Sequence, residues 1–454
     1  MVLRPDAREE SPFAPLRPRV GTVICPVISP RRPSLFRILA PALWVLASSL
    51  GLPPPASSAA DLPVEWIDPD TGHRVIRLSQ EAGSASLYFH QNAYSADGRK
   101  LILTTPGGLA TVDLATRAID PVVSGRVNVL VTGRKTGDIY YVRDNTVFAT
   151  NLDTHETREV ARVPAAVEPG GNLAINADET LLVGLGVDPH GKAEPRPTPP
   201  GDTGGRLGAR WAEGRPMILY TVSLRTGEFR QLLASHDWLN HLQCSPADPA
   251  LIMFCHEGPW HFNDRIWTIR ADGTGLRLMH QRAMDMEIAG HEFFSRDGQI
   301  IWYDLQTPKS GVFWVAGVNL ASGARTWYHL QRSEWSVHYN VSPDGTLFAG
   351  DGGGPGSVAN HTPDGKTLNP PGNGQWIYLF RPVRVANPAG AWPDQKDLIH
   401  TGYFQAERLV NLAKHDYRLE PNVTFTPDGQ WIVFRSNMLG PTHVFEVEVK
   451  KAAD

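Results

Sequence analysis

The chain has little cysteine and lacks the short sequence motifs that are typical of several common catalytic sites. Only three of its 454 residues are cysteine and none form a CxxC pair, which argues against a disulfide-built scaffold and the common zinc or redox motifs. There is also no GxSxG nucleophile elbow, P-loop, HExxH helix or Ser-His-Asp triad of fixed spacing. Outside the N-terminus, Cys244 and Cys255 could pair across neighbouring strands, but two buried free thiols are the favoured prediction.

Positive charge is scarce beyond the N-terminus. Residues 1–60 carry seven arginines and three acidic residues, so the rest of the chain holds 36 basic and 44 acidic side chains. A body with that acidic excess does not attract polyanions through its overall field. We therefore expect no nucleic-acid partner, and an anionic ligand would need a local cationic cluster or a metal ion.

The N-terminal segment has the order of features typical of an export signal. Three arginines at positions 31, 32 and 37 precede an apolar stretch over residues 38–52, and a run of small residues follows at 56–60. The stretch is interrupted by Pro41 and is short for a membrane span. We interpret residues 1–60 as a signal peptide or leader, with a disordered leader or a membrane anchor as alternatives. The mature protein is then periplasmic or secreted, without stable membrane insertion.

An internal repeat runs through the remainder of the chain. Its unit is an apolar or aromatic residue, Ser or Thr, any residue, and Asp-Gly, followed by a β-rich run. Clear copies occupy residues 94–98, 294–298, 341–345 and 425–429, and weaker ones lie near 134, 176 and 245. Asp-Gly between two strand-like runs predicts a tight hairpin, because glycine supplies the positive φ that such a turn requires.

Seven copies at mostly 39–50-residue spacing predict an all-β, seven-bladed β-propeller over residues 61–454. The alternatives are a pair of irregular β-sandwiches or a solenoid. Two longer intervals contain Pro- and Gly-rich stretches, roughly residues 186–216 and 352–398, which we interpret as loop insertions.

The repeat also predicts where a functional site lies. The first strand of each blade lines the central channel, so residues at its start crowd one face of the molecule. Four positions before each repeat marker the sequence has Gln91, Leu130, Asn172, His241, His291, His338 and Asn422. Further imidazole, guanidinium and carboxylate groups occur nearby in sequence, at His90, His256, Arg265, His415, Arg418 and Glu420. Such a set suits a divalent metal or a polar substrate, whereas each histidine alone could equally be structural.

A histidine base beside a cation and an arginine suits abstraction of a proton α to a carboxylate. Loss of a β-linked oxygen would then give an unsaturated sugar acid. Several segments resemble the oligogalacturonate lyases, namely LYFHQNAYSADG, CHEGPWH, GHEFFSRDGQIIWY, WSVHYNVSPDGTLFAGDGG and LEPNVTFTPDGQWIVFRSNM. That family is built on a seven-bladed propeller and cuts short α-1,4-linked galacturonate oligomers, in pectin breakdown, by metal-assisted β-elimination.

The resemblance implies a role for individual residues. His291, in GHEF, matches the family's catalytic base, and Arg265 matches an arginine that neutralises the substrate carboxylate. His338 matches a metal-binding histidine, and the family's metal is manganese. We further expect a small acidic oligosaccharide substrate, with contacts from Gln91, His90, His241, His256 and Arg418.

The last repeat departs from the family pattern. Where the family has Gln-x-x-His-x-His, this chain has Tyr417, Glu420 and Asn422. Glu420 and Asn422 could still bind a cation through oxygen, with His415 as a substitute ligand, which would favour Ca²⁺ or Mg²⁺. Alternatively, Arg418 replaces the metal's charge. The leader is a second departure, because family members are typically cytoplasmic. Two other functions therefore stay open: a non-catalytic propeller that binds glycans or proteins, and a lyase for another uronate-containing glycan.

Overall fold

The computed structural model describes residues 62–168, 172–199, 205–387 and 397–452. The predicted leader, residues 1–60, lies outside these ranges. The described chain is almost entirely β-structure, with one α-helix, α1 (Arg206–Ala212), and two short 3₁₀ turns at Arg332–Glu334 and Val358–Asn360. No helix among the described residues is long and apolar enough to cross a membrane.

The first half of the described chain contains thirteen strands. They are β1 (Glu65–Ile67), β2 (His73–Arg77), β3 (Lys100–Thr105), β4 (Gly108–Asp113), β5 (Ile119–Ser124), β6 (Asn128–Thr132), β7 (Asp138–Arg143), β8 (Thr146–Asn151), β9 (Thr157–Arg162), β10 (Leu173–Ile175), β11 (Leu181–Val187), β12 (Met217–Ser223) and β13 (Phe229–Ser235).

The second half contributes fifteen more. They are β14 (Trp238–Cys244), β15 (Leu251–Glu257), β16 (Ile266–Arg270), β17 (Arg277–Leu278), β18 (Ile288–Phe294), β19 (Ile300–Gln306), β20 (Phe313–Asn319), β21 (Arg325–Leu330), β22 (Tyr339–Val341), β23 (Phe348–Gly350), β24 (Trp376–Arg384), β25 (His400–Asn411), β26 (Thr424–Phe425), β27 (Trp431–Ser436) and β28 (His443–Lys451).

These strands form seven antiparallel meanders, which we call blades 1 to 7, and the predicted all-β propeller is confirmed. Blades 1 to 6 comprise β3–β5, β6–β9, β10–β13, β14–β17, β18–β21 and β22–β25. Blade 7 has the strand order β1-β2-β28-β27-β26, so the first two strands of the chain pair with the last. Blades 5 and 6 also join along their outer edges, where β21 pairs in parallel with β25. Because β2 pairs with β28, the two ends of the repeat array are fastened together.

The repeated Ser/Thr-x-Asp-Gly unit forms the turn between the first two strands of a blade. In blade 5, Ser295 donates its hydroxyl to Asp297, and the same oxygen accepts the backbone N–H of Ile300. Gly298 has φ +69°, where a side chain would be strained. The same contacts recur at Ser342 and Thr426 in blades 6 and 7. They recur at Ser95 in blade 1, where the turn joins the isolated bridge residue Tyr94 to β3. Apolar residues of the following strand are buried between adjacent blades.

Both predicted loop insertions contain regular secondary structure, and the two cysteines are unpaired. The stretch 352–398 is not all loop, since its WIYLF run begins strand β24 and packs Leu379 and Phe380 into the core. The stretch 186–216 likewise contains α1. In the first case a continuous buried run of aromatic and aliphatic residues, 377–380, outweighs the flanking Pro and Gly. Cys244 and Cys255 are free thiols.

Candidate active site

Histidines of three successive blades converge on one site. The ring centroids of His241 and His291 are 6.4 Å apart, and those of His291 and His338 are 4.9 Å apart. His241 and His291 have φ values of +47° and +44°, and the pairing register shifts next to each of them in β14 and β18. A bulge of this kind redirects a side chain from the strand's ordinary alternation. His90 of blade 1 lies 6.4 Å from His241, also between ring centroids.

His291 is held by a buried carboxylate. Its Nδ1 donates to Asp304 Oδ1 over 2.8 Å, which leaves Nε2 with the lone pair. The Trp260 ring meets the imidazole edge to face at 5.2 Å. Burial lowers the pKa of His291, but the Asp304 carboxylate outweighs it and the net pKa is raised above the usual value. His291 therefore has the tautomer and the basicity that suit a general base.

His338 belongs to a second pair of the same design. It is fully buried, with Nδ1 2.8 Å from Asp351 Oδ2 and Nε2 3.3 Å from the Tyr88 hydroxyl. The Glu420 carboxylate lies 3.7 Å from the same Nε2. Burial, reinforced by Glu420, raises the pKa of Tyr88 well above its usual range, so this phenol stays protonated and can donate.

Arg265 is buried between two carboxylates. Its Nη1 donates to Glu257 over 2.7 Å and its Nε to Glu292 over 3.0 Å, and its guanidinium lies over the Trp260 ring at 5.0 Å. Its Nη2 is buried without a hydrogen-bond partner among the described residues. Burial would raise the pKa of Glu257, but Arg265 holds it down at about 2. The guanidinium is thus rigidly oriented and keeps one unused donor.

His241 and His90 complete this side of the site as neutral imidazoles. His241 lies 3.9 Å from both Glu257 and Glu292. Burial lowers the pKa of His241 and of His90 to about 3 each. Gln91, by contrast, is committed to the backbone: it accepts from the Tyr88 N–H and donates to the carbonyls of residues 129 and 130.

Several residues predicted from the sequence are not brought to this cluster. His256 pairs with Asp237 and stacks on Trp267 within blade 4. The Arg418 side chain is 91% exposed and pairs with Asp416, two residues away in the same turn. His415 is buried between the Ser436 hydroxyl and the carbonyl of Leu419. The side chains of all three residues are therefore engaged by nearby partners and are not available to the histidine cluster.

The predicted metal ligands do not form a coordination set. The side-chain oxygen of Asn422 accepts the backbone N–H of Phe89, and its nitrogen donates to the carbonyl of Glu420. His415 is also occupied, and His338 Nε2 is already hydrogen-bonded to the Tyr88 hydroxyl. Of the four predicted ligands only the Glu420 carboxylate, 3.7 Å from that Nε2, forms no hydrogen bond through its side chain among the described residues. No group of three His, Cys, Asp or Glu residues in the described ranges could hold a metal ion. The residues present do not fit the family's manganese.

The acidic partners of the histidines were not predicted from the sequence. The pairs His291–Asp304 and His338–Asp351 each span 13 residues. His291 lies within β18 and Asp304 within β19, whereas His338 directly precedes β22 and Asp351 directly follows β23. This shared spacing was a readable signal for both carboxylates. Tyr88 and Trp260 gave no periodic signal, because each lies outside the strands.

Together the fold and the site define a β-propeller enzyme with paired imidazole and carboxylate groups at one end of its axis. The family model for oligogalacturonate lyase matches residues 64–453. The chain is 27% identical to the oligogalacturonate lyase of Dickeya dadantii (strain 3937) over 403 residues, which cover 84% of this chain and 95% of the relative. It is 25% identical, with the same coverage, to the oligogalacturonide lyase of Pectobacterium atrosepticum.

Solved structures agree on the fold. An oligogalacturonate lyase in complex with manganese matches with a TM-score of 0.67 at 24% identity, covering 85% of this chain and 96% of that one. The oligogalacturonate lyase of Vibrio parahaemolyticus matches with the same TM-score and coverage at 20% identity. The chain belongs to the oligogalacturonate lyase family, which confirms the predicted family and the prediction of a lyase.

Proposed function

We propose that this lyase cleaves short α-1,4-linked galacturonate oligomers by β-elimination, with His291 as the base. The observation that carries the proposal is the His291–Asp304 pair, set beside the buried guanidinium of Arg265 in a site shared by three blades. The family supports the substrate class, since the named relatives are oligogalacturonate lyases.

In this mechanism the His291 Nε2 removes the proton at C5, which is α to the substrate carboxylate. The electron pair of the C5–H bond forms the C4–C5 double bond, and the C4–O bond breaks with its electron pair on the departing oxygen. Asp304 stabilises the imidazolium that forms, because its carboxylate already accepts the Nδ1 proton. The products are an unsaturated uronate and a shortened oligomer.

The departing oxygen then takes up a proton, and we assign its donation to Tyr88. This hydroxyl is neutral, since burial raises its pKa, and it lies 3.3 Å from His338 Nε2. In the resting site this hydroxyl donates to His338 Nε2, because Asp351 holds the Nδ1 proton, and it turns to the departing oxygen to give up its proton. The tyrosinate that remains recovers a proton from solvent, to which His291 releases the proton taken from C5.

The unused Nη2 donor of Arg265 supports a role in binding the substrate carboxylate. Glu257 and Glu292 already balance its charge, so Arg265 supplies a directed hydrogen bond more than a net positive charge. Charge that develops on the substrate as C5 loses its proton would strengthen such a bond. Because the donor set does not fit a metal, no step of this mechanism passes through one.

The direct test is to incubate the purified protein with di- and trigalacturonate and follow near-ultraviolet absorbance, with mass spectrometry of the products. We expect an unsaturated uronate whose formation survives chelator treatment. Saturated products would indicate hydrolysis, and binding without turnover would indicate the non-catalytic alternative. Either result would contradict the proposal.

A lyase for a different uronate is supported by one observation, the altered last repeat with Glu420 near His338. A panel of galacturonate, glucuronate and rhamnose-capped oligomers separates the two. If galacturonate is the substrate, kcat/KM is highest on trigalacturonate. A higher kcat/KM on another uronate oligomer would favour the alternative substrate.

We also propose export to the periplasm or the medium, supported by the order of charged, apolar and small residues before position 61. N-terminal sequencing of protein recovered from the periplasmic and extracellular fractions tests this. Intact residues 1–60 on protein found only in the cytosol would contradict it.

A further inference from the structure

Negative charge dominates the side chains around the three histidines. Five carboxylates surround them, and they belong to Glu257, Glu292, Asp304, Asp351 and Glu420. Glu257 and Glu292 already balance the charge of Arg265, which offers the substrate the hydrogen bond of its Nη2 but no net positive charge. An anionic sugar needs a further cation with free donors, because like charges repel strongly in a partly buried site.

The blade repeat places such a cation at Arg435. The His–Asp pairs of blades 5 and 6 span 13 residues, and the same spacing from Asn422 in blade 7 leads to Arg435 on β27. The ladder position also agrees. Asp304 lies opposite Gly290, the residue before His291, and the backbone N–H of Arg435 donates to Pro421, the residue before Asn422. Blade 7 thus carries a guanidinium where blades 5 and 6 carry carboxylates.

The local contacts orient the Arg435 side chain towards the site. Its Nε donates to the carbonyl of Glu420 over 2.8 Å, and the Glu420 carboxylate lies 3.7 Å from His338 Nε2. Among the described residues its two terminal nitrogens form no hydrogen bond or ion pair. The side chain is half-buried, and burial lowers its pKa, an effect that the charges of Glu420 and Asp351 oppose.

We propose that Arg435 binds the carboxylate of the uronate substrate through its two free terminal nitrogens. Planar guanidinium groups hold carboxylates through two parallel hydrogen bonds, which no single-point ammonium group reproduces. His415 and Asn422 are hydrogen-bonded elsewhere, so they are not available to bind a metal ion. Arg435 then supplies the positive charge that such an ion would have provided. Arg418, the guanidinium expected from the sequence, points to solvent. This inference rests on the proposed function.

The test compares Arg435→Met and Arg435→Lys with the matched control Arg418→Met on the same blade. In a His291→Ala background, which slows turnover, calorimetry measures binding of trigalacturonate. We expect Arg435→Met to weaken binding about 10- to 100-fold, Arg435→Lys to recover part of the loss, and Arg418→Met to leave binding unchanged. In the otherwise wild-type protein, kcat/KM should fall about 100-fold for Arg435→Met.

Equal binding by Arg435→Met and Arg418→Met, with matching circular dichroism spectra, would overturn the inference. So would full recovery of Arg435→Met activity by added manganese. Its failure is distinguishable from that of the proposed function. If the wild-type protein binds trigalacturonate but forms no unsaturated product, the lyase mechanism is wrong. The role of Arg435 is still tested in that case, because the binding constants of the variants do not depend on turnover.

Discussion

At the scale of single residues, the orientation of two imidazoles by two carboxylates determines what the site can do. A histidine whose Nδ1 proton is held by Asp304 presents one tautomer to the cavity, which removes the cost of selecting it during the reaction. Asp304 also raises the pKa of His291. The two effects can be measured separately, since one changes the maximal rate and the other changes its pH dependence.

Asp304→Asn should therefore lower kcat and move the acidic limb of the pH profile to lower pH. The base must be unprotonated, so activity rises as pH passes through the His291 pKa. Loss of the carboxylate lowers that pKa and weakens the base, and we expect kcat to fall by about 100-fold. A pH–rate profile on trigalacturonate measures both. An unchanged limb, or one displaced to higher pH, would argue against this pairing.

Arg265 should matter for stability as well as for turnover. Arg265→Met leaves Glu257 and Glu292 buried without their cation, which costs about 3–5 kcal/mol at neutral pH. The pKa of Glu257 is about 2 in the folded wild type, so its contribution is present above its usual value of 4.5 and is lost as pH falls towards 2. Urea unfolding measures the difference, which should shrink at acidic pH as the variant's carboxylates protonate. A constant difference would contradict the charge-pairing account.

The sequence predicted the histidines better than their partners. His241, His291 and His338 share one offset within the repeat, and a bulge at the first two turns both side chains inward. The other expected residues failed to join them because local partners compete. Arg418 pairs with Asp416 within its own turn. Asn422 has a positive φ, and its side-chain amide is hydrogen-bonded to backbone groups. Such competition depends on backbone conformation, which residue spacing alone does not specify.

At the scale of strands, the junction between blades 7 and 1 contains a buried acid that the catalytic site does not use. Glu446, on β28, is fully buried and contacts Arg117, in the turn after β4, at 2.5 Å. Burial raises its pKa to about 7 despite this arginine. A raised carboxyl pKa means that the folded state binds the proton more tightly, so stability falls as pH rises from about 4.5 through 7.

Glu446→Gln should remove this dependence. Relative to wild type, the variant gains up to about 3 kcal/mol between pH 4.5 and 7, because a neutral amide has no charge to bury. Urea midpoints across that range provide the measurement. Parallel pH profiles for the two proteins would show that Glu446 titrates normally.

The strands themselves were largely predictable. Asp-Gly turns and the apolar runs after them mark the first two strands of most blades, since the turn needs a positive φ and the second strand is buried on both faces. The outer strands carry weaker patterns. β24 was overlooked because its buried run lies between Pro- and Gly-rich segments, and the parallel contact of β21 with β25 has no local sequence signature.

At the scale of the whole molecule, the ring is closed by strands from both ends of the chain. β2 pairs with β28 from His73 to Arg77, and Val75 of β2 is fully buried in the core between blades 6 and 7. A protein that starts after Arg77 should lose cooperative unfolding or lower its urea midpoint substantially, because an edge of β28 and its apolar face become exposed. An unchanged midpoint would mean that closure contributes little to stability.

Closure also explains how residues far apart in sequence share one site. The Phe89 backbone N–H bonds to Asn422, and Tyr88 contacts His338, so blade 1 is held against blades 6 and 7 at the catalytic end. The prediction of a common site depended on the ring, since only a closed array brings each blade's first strand to one axis.

The central claim, that His291 is the base of a β-elimination, is tested most directly by chemical rescue. His291→Ala should release unsaturated product from trigalacturonate about 10²- to 10⁴-fold more slowly than wild type, and added imidazole should restore part of the rate. His155→Ala, an exposed histidine paired with Asp120 in blade 2, serves as the matched control and should retain the wild-type rate. A folded His291→Ala protein that works as fast as the His155→Ala control would contradict the account.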